Sequence, residues 1–170
     1  MELKNKRIIV TGGSDGIGRH ICLKLAAVGT RLAILGRDAD RLAAVEAECV
    51  AAGASEAIGI ACDIQNPDAI SGAVEQVTAA FGGLDILINN AGIWHKTGPL
   101  DEIPPQLLQA TVQTNLTGLM QITQAAIPAL RANDEGIILN VVSKSGVVAQ
   151  AGQSVYTATK YGVRGFTEVL

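Results

Sequence analysis

Tyr156 and Lys160 stand four residues apart near the end of the chain, a spacing that places both side chains on one face of a helix. A phenol has an ordinary pKa of about 10, so it exchanges protons near neutrality only where a neighbouring positive charge lowers that pKa. Lys160 could supply the charge, and Ser143, thirteen residues before Tyr156, adds a second hydroxyl. Together they predict proton transfer at a substrate oxygen. A solvated helix face is the alternative for a lone Tyr–Lys pair, and Ser143 favours the chemical interpretation.

A glycine-rich segment lies between the first strand-like run and the first helix-like run. Residues 11–18 read Thr-Gly-Gly-Ser-Asp-Gly-Ile-Gly. Glycines at such a turn let the backbone approach a pyrophosphate, whose charge the following helix N-terminus attracts. A P-loop would need Lys-Ser/Thr after the last glycine, but Arg19 and His20 follow. The segment predicts a dinucleotide site, with an ordinary strand–helix turn as the alternative; the predicted ligands are Gly12, Ser14, Asp15, Gly16, Ile17 and Gly18.

Gly36, Arg37 and Asp38 follow the second strand-like run. A carboxylate at this strand end binds the ribose diol of NAD, whereas an arginine accommodates the 2′-phosphate of NADP through its planar, paired donors. Arg37 therefore predicts NADP as the cofactor. Asp38 keeps NAD as the second possibility, and Asp15 counts against an additional phosphate nearby. The alternative without a ligand is a solvated arginine at a helix start.

Polar residues also follow the third and fourth strand-like runs, where parallel sheets bind their ligands. The predicted contacts to adenine and ribose are Asp63, Asn90, Ala91 and Gly92. Turn formation and helix capping explain the same residue types, and Asn89 and Asn90 are expected to brace the backbone in either case. Trp94 and His95 come next; they either line the cleft or cover apolar surface.

Several other chemistries and partners lack the residues that they require. Ser145 is preceded two residues back by Ser143 and not by glycine, so it does not form a Gly-x-Ser-x-Gly nucleophile turn. Neither His20 nor His95 has a cysteine or carboxylate at ligand spacing, so no metal site is predicted. A net charge of −3 and 3% aromatic residues argue against nucleic-acid binding. No apolar run approaches the roughly 18 residues of a membrane span. The widely spaced Cys22, Cys49 and Cys62 are typical of reduced thiols in a cytoplasmic protein.

Five short apolar runs alternate with amphipathic helical stretches. The predicted strands cover residues 6–11, 31–35, 57–62, 84–89 and 137–143. Gly29 and Gly53 are predicted helix ends, Asn66 and Pro67 a helix start, and longer helices are predicted over 105–132 and from Ser154 onward. This alternation predicts right-handed βαβ units and a doubly wound parallel α/β sheet. Residues 1–170 are predicted to form a single dinucleotide-binding domain.

In this order and spacing, the residues resemble the main type of short-chain dehydrogenase/reductase. The resemblance covers the whole chain and adds Asn115, with Gly118 three residues further on. It implies a Rossmann fold with the strand order 3-2-1-4-5, and an NAD(P)-dependent oxidoreductase acting on a carbonyl or secondary alcohol, such as a 3-oxoacyl or other keto substrate. It also implies a homodimer or homotetramer.

The resemblance assigns a role to each residue of the catalytic set. Tyr156 is the general acid/base, and Lys160 lowers the tyrosine pKa and hydrogen-bonds the nicotinamide ribose. Ser143 steadies the substrate oxygen, with Ser145 as a less well-spaced substitute, and Asn115 supports a water relay to Lys160. One feature departs from the family pattern. Some NADP-dependent members carry a basic residue within the glycine loop, where this chain has Asp15.

The family normally continues beyond the position of Leu170, with further strands, a Pro-Gly turn and a substrate lid. The sequence is therefore predicted to lack the usual C-terminal strands. Its fifth strand would be a sheet edge, so the chain alone is expected to self-associate and to show little activity. A dinucleotide-binding fragment or scaffold without turnover is the second functional hypothesis, and the set of Ser143, Tyr156 and Lys160 favours the enzyme.

Overall fold

The computed structural model describes residues 2–133 and 135–170. Within these residues, five strands form one parallel sheet in the order β3-β2-β1-β4-β5. Their bounds are β1 (Arg7–Thr11), β2 (Arg31–Gly36), β3 (Glu56–Ala61), β4 (Ile86–Asn89) and β5 (Ile137–Asn140). The predicted doubly wound sheet and its strand order are confirmed.

Helices follow every strand in the described part of the chain. They are α1 (Gly16–Ala26), α2 (Ala39–Ala52), α3 (Pro67–Phe81), α4 (Pro105–Val112), α5 (Leu119–Arg131) and α6 (Ser154–Val169). None of these helices combines the length and the apolar character that crossing a membrane requires. Asn66 caps α3 by accepting hydrogen bonds from the amides of Asp68 and Ala69, and Gly53 ends α2 with φ 109°, as the sequence predicts.

The core lies in two layers, one on each face of the sheet. Alternate residues of β1 and β4 point to opposite faces, because side chains alternate along a strand. Ile9 and Leu87 pack against α3 and α5, while Ile8, Val10 and Ile88 pack against α1 and α2. Both faces of the central strands are thus covered, which leaves their carboxyl ends as the place where the chain can form a cleft.

The predicted strand bounds agree with the structure to within two residues, except at the end of the fifth strand, and two predicted helices also differ. The predicted fifth strand reached Ser143, but β5 ends at Asn140, because the next carbonyl, that of Val141, turns to accept a hydrogen bond from Lys160. The predicted end of the first helix was Gly29, whereas α1 ends at Ala26 and Gly29 takes the left-handed conformation (φ 74°) further on.

The predicted helix over 105–132 is the third difference. Its path stays helical but widens into a π-helical turn, Gln113–Gly118, between α4 and α5. Asparagine, two threonines and a glycine in that turn are weak α-helix formers, so a departure from α geometry costs little there.

Candidate active site

A cavity of about 950 Å³ opens at the carboxyl ends of β1 to β4. All the residues predicted as cofactor ligands from the glycine loop and the strand ends line it: Gly12, Ser14, Asp15, Gly16, Ile17, Gly18, Arg37, Asp63, Asn90, Ala91 and Gly92. Its lining does not include Asn115, Ser143, Tyr156 or Lys160. The structure therefore separates the predicted residues into a cofactor group and a catalytic group.

Two glycines in the loop after β1 have no room for a side chain. Gly12 has φ 62°, and a Cβ there would lie 2.9 Å from the Cα of Ala91. A Cβ on Gly18 would collide with the carbonyl of Gly12. The loop therefore packs directly on the segment after β4 and presents bare backbone at the N-terminus of α1. This is the surface that the phosphates of a dinucleotide require, so the residues present fit that cofactor.

Asn90 and Thr11 hold this loop in place. The Asn90 side-chain amide donates to the carbonyls of Thr11 and Gly12 at 3.0 and 3.1 Å. In return, the Thr11 hydroxyl accepts from the backbone amides of Asn90 and Ala91, both at 3.0 Å. Asn89 points the other way and donates to Thr123 and Asn140. The backbone bracing expected of both asparagines is therefore present for Asn90, whereas the Asn89 side chain contacts only other side chains.

Charged residues cluster where the glycine loop meets the end of β2. Asp15 caps α1, with its carboxylate accepting from the amide of Gly16 at 2.7 Å, and Asp38 caps α2 by accepting from the amide of Arg41 at 3.1 Å. The guanidinium of Arg41 lies between them, 2.9 Å from Asp15 and 3.3 Å from Asp38. Arg37 lines the same part of the cavity, and none of the ion pairs among the described residues includes it.

Asn115 lies in the π-helical turn and is fully buried. Its side-chain oxygen accepts from the amide of Ile93 at 2.7 Å, and its side-chain nitrogen donates to the carbonyl of the same residue at 2.9 Å. The wide turn carries an asparagine that fixes the chain after β4, in keeping with the frequent placement of π-turns at functional sites. Ile93 also lines the cavity, so Asn115 acts at the border between the two groups.

Lys160 on α6 is 5% exposed, and its ammonium donates to the carbonyl of Val141 at 2.9 Å. No carboxylate lies within ion-pair distance of it among residues 2–133 and 135–170. Burial lowers the pKa of this lysine below its ordinary value. The ammonium nitrogen lies 5.8 Å from the centre of the Tyr156 ring, so the two residues face the same region.

Ser143 lies three residues beyond β5 and starts the short turn Lys144–Gly146. Its hydroxyl oxygen accepts from the amide of Ser145 at 3.2 Å. A Cβ on Gly146 would lie 2.9 Å from the carbonyl oxygen of Lys160, so the turn packs against α6. No hydrogen bond joins the hydroxyls of Ser143 and Tyr156 in the described structure. The Ser145 hydroxyl donates instead to Gln153 at 3.1 Å.

A family model described as short chain dehydrogenase matches residues 6–170. The chain belongs to the short-chain dehydrogenase family. D-beta-hydroxybutyrate dehydrogenase of Cupriavidus necator is 38% identical over 169 residues, which cover 98% of this chain and 64% of that protein. The chain spans 61 to 64% of the length of the first three curated relatives that it matches.

Solved structures of other short-chain dehydrogenases superpose closely. A short chain dehydrogenase from Burkholderia cenocepacia, in complex with NADP, is 40% identical with a TM-score of 0.91, covering 99% of this chain and 68% of the other. NAD⁺-bound xylitol dehydrogenase is 29% identical with a TM-score of 0.94, covering 99% of this chain and 65% of the other. Similar structures therefore hold either cofactor, and the likeness alone does not select one.

Sequence reasoning missed several residues of this short-chain dehydrogenase cavity. Arg41 lies four positions after Arg37, in the first turn of α2, and no pattern in the sequence set it apart. Cys62 directly precedes Asp63; burial, followed by the charge of Asp63, raises the pKa of its thiol. Gln65 donates to Thr114 at 2.9 Å and so links the loop after β3 to the π-helical turn. Nothing in the sequence pattern indicated that pairing.

Trp94 and His95 have opposite environments. Trp94 is 60% exposed, whereas His95 is 8% exposed, with its Nδ1 3.1 Å from the carbonyl of Lys96. The described residues contain no group of three or more His, Cys, Asp or Glu side chains placed to hold a metal ion. His20 is exposed on α1, and its Nδ1 lies 2.8 Å from the carbonyl of Gly16.

Proposed function

We propose that the protein is an NADP(H)-dependent oxidoreductase that interconverts a carbonyl and a secondary alcohol on a small molecule. The observation that carries the proposal is the buried ammonium of Lys160, which has no carboxylate partner and lies 5.8 Å from the Tyr156 ring. A buried charge without a counter-charge destabilises a fold and is typical of a functional site. A module that only binds a dinucleotide has no need of it.

In this proposal, the residues of the cofactor group bind the dinucleotide, and the residues of the catalytic group act on the substrate. The glycine loop and the N-terminus of α1 receive the phosphates, and Asp63 and the segment Asn90–Gly92 contact the adenosine. When bound, the nicotinamide supplies or accepts the hydride. Tyr156 moves a proton at the substrate oxygen, and the positive charge of Lys160 stabilises the negative charge that develops on the phenol oxygen. Ser143 holds the substrate oxygen, and Asn115 fixes the chain between the two groups.

NADP is proposed over NAD because of the charges at the end of β2. Arg37 has no ion-pair partner among the described residues, so its donors are available to a 2′-phosphate. On sequence grounds, the negative charge of Asp15 counts against a phosphate nearby. In the structure, the guanidinium of Arg41 lies 2.9 Å from this carboxylate and offsets its charge. A relative of known structure that is 40% identical was solved with NADP.

The proposed substrate class is a keto compound such as a 3-oxoacyl group. A relative named for a β-hydroxy acid, the matching alcohol, supports this class. The three cysteines are free thiols, which supports a reducing, cytoplasmic environment. A homodimer or homotetramer remains a prediction from the family resemblance, and sedimentation of the full-length protein would test it.

Replacing Tyr156 by phenylalanine tests the proposed chemistry. Tyr156→Phe removes only a hydroxyl, so the full-length protein should still fold and bind NADPH while carbonyl reduction falls by about 10²–10⁴-fold. Tyr161→Phe is the matched control, because that tyrosine lies on the same helix and its hydroxyl donates to the carbonyl of Val147. NADPH consumption with a panel of 3-oxo substrates is the measurement.

Two results together would support the proposal. Tyr161→Phe should turn over substrate at close to the wild-type rate, and Tyr156→Phe should retain cofactor binding but lose turnover. Full turnover in Tyr156→Phe would show that another group is the acid. Tight NADPH binding with no turnover in wild type would favour the binding module instead.

A further inference from the structure

We propose that Gln153 is a positioning residue, which holds Ser143 and Tyr156 in a fixed relation to each other by way of Ser145. The inference rests on the proposed function, because it assumes that Ser143 and Tyr156 act on one substrate oxygen. Gln153 is the residue immediately before α6, three positions ahead of Tyr156. Its side-chain hydrogen bonds go to Ser145 and Thr97, so its effect on the catalytic pair passes through the segments that it joins.

The start of α6 lacks the side-chain cap that three other helices of the chain have. Asp15, Asp38 and Asn66 cap α1, α2 and α3 by accepting hydrogen bonds from backbone amides of the first turn. Gln153 occupies the same position before α6, and its side chain makes no such bond to the helix. Glutamine is also not among the residue types preferred at this position. Departures from a local rule are expected where a residue serves a function, and here the side chain is used elsewhere.

The side chain of Gln153 joins two loops to the start of α6. Its Oε1 accepts from the Ser145 hydroxyl at 3.1 Å, and its Nε2 donates to the Thr97 hydroxyl at 3.4 Å. Beside this contact, the amide of Gly98 donates to the carbonyl of Gly152 at 3.0 Å. A Cβ on Gly152 would lie 2.5 Å from the Cγ2 of Thr97, so the backbones of the two segments are in direct contact. One amide group thus connects the turn after β5 with the segment after β4.

Ser145 passes this contact on to Ser143. Ser145 is 4% exposed, and its backbone amide donates to the hydroxyl oxygen of Ser143 at 3.2 Å. On the other side, the carbonyl of Gln153 accepts from the amide of Thr157 at 2.8 Å, in the turn that carries Tyr156. Ser143 and Tyr156 are therefore connected through Gln153 by consecutive hydrogen bonds.

The proposed reaction requires the hydroxyls of Ser143 and Tyr156 at the same substrate oxygen. Groups that stabilise a developing charge need a geometry held to within about 0.5 Å. The two hydroxyls are not hydrogen-bonded to each other in the described structure, so their relative position depends on how α6 contacts the turn Lys144–Gly146. Gln153 makes such a contact at the start of α6. Because the Ser145 hydroxyl is engaged by Gln153, Ser145 is a second positioning residue and not a substitute for Ser143.

Gln153→Met tests the role of Gln153, because it keeps the length of the side chain and removes both hydrogen bonds. In the full-length protein, kcat for carbonyl reduction should fall about tenfold, since a small displacement of reacting groups is costly. The KM for NADPH should stay within about twofold of wild type, because Gln153 does not line the cofactor cavity. Gln150→Met is the matched control; Gln150 is an exposed glutamine of the same loop, and its replacement should leave both constants unchanged.

Ser145→Ala removes the other partner of the same hydrogen bond. It should lower kcat by a similar factor, and the double variant should be no slower than either single variant, because all three break one connection. Multiplied losses in the double variant, about a hundredfold in all, would overturn the inference. So would a Gln153→Met variant with the kcat of Gln150→Met, or one that raises the KM for NADPH and leaves kcat unchanged. A wild type that binds NADPH but reduces no carbonyl compound would contradict the proposed function, and with it this inference.

Discussion

Asn90 in the cofactor region and Lys160 in the catalytic region both hold backbone carbonyls of neighbouring segments, but their settings differ. Asn90 follows β4 and reaches the carbonyls of Thr11 and Gly12, next to the central strand β1. Four hydrogen bonds join the two segments there, and every partner lies beside a strand that has neighbours on both sides. The cofactor region is therefore braced by the middle of the sheet.

The catalytic region lies beside β5, at the edge of the sheet. β5 pairs only with β4 among the described strands, and α6 packs mainly against the turn Lys144–Gly146, the π-helical turn and α4. Lys160 donates to the carbonyl of Val141, and Asn140 donates to Thr167 at 2.9 Å. Asn115 reaches α6 through Thr159, whose hydroxyl donates to the carbonyl of Tyr156 at 2.7 Å. The position of the predicted catalytic side chains thus depends on how α6 packs against these segments, outside the central strands.

This difference teaches that the two regions should respond to substitution in different ways. In the cofactor region, the side-chain amide of Asn90 is hydrogen-bonded to backbone carbonyls that its loss would leave without this donor. Replacing it should therefore mainly lower the free energy of unfolding. The buried ammonium of Lys160 has a carbonyl partner but no counter-charge, so its loss should remove activity while costing the fold little. Three measurements test this contrast.

The largest expected effect is on turnover. Lys160→Met keeps the aliphatic length of the side chain but removes the positive charge beside Tyr156, so kcat for carbonyl reduction should fall by about a hundredfold or more. Cofactor affinity should also weaken, because the family resemblance gives the lysine a contact with the nicotinamide ribose. Unchanged turnover would remove Lys160 from the catalytic group.

The second effect is on stability in the cofactor region. Asn90→Ala leaves the carbonyls of Thr11 and Gly12 without their side-chain donor, which should cost about 1–2 kcal/mol in the free energy of unfolding. Binding of NADPH and NADH should weaken together, because the loop that receives the shared phosphates loosens. Gln109→Ala, at an exposed amide on α4, is the control for urea denaturation. A variant as stable as this control would contradict the bracing role.

The smallest effect is on the pH dependence of stability. The folded-state pKa of Lys160 lies below its ordinary value of 10.5, so between those two values the unfolded chain binds more protons than the folded one. The free energy of unfolding should therefore rise with pH between the two pKa values. Below the folded-state pKa, Lys160 is charged in both states, and the full cost of burying that charge lowers the stability of the fold. Wild type should gain stability relative to Lys160→Met as pH rises toward 10.5. Parallel curves would contradict this.

Much of the site could be predicted from residue types and spacing because the pattern is local. The glycine loop, Asp63 and Asn90 each follow a strand-like run, and parallel strands bring their carboxyl ends to one edge. The residues that escaped prediction depend on distant partners. Arg41 is recognisable only once Asp15 lies beside it, and the pairing of Gln65 with Thr114 joins loops that are 49 positions apart.

By itself, the sequence determined the order of elements and the family, because apolar periodicity and short motifs are properties of neighbouring residues. The strand order of the sheet was predicted through the resemblance to that family. Tertiary structure decided the rest. It ended β5 at Asn140 because the carbonyl of Val141 is needed by Lys160, and it placed Asn115 in a wide turn where the side chain meets Ile93. Burial removed the ammonium of Lys160 from water. Contact between the starts of α1 and α2 placed Arg41 2.9 Å from Asp15, so that this carboxylate is an ion-pair partner and not an isolated charge. Such effects arise from distances between residues far apart in sequence, which no local pattern encodes.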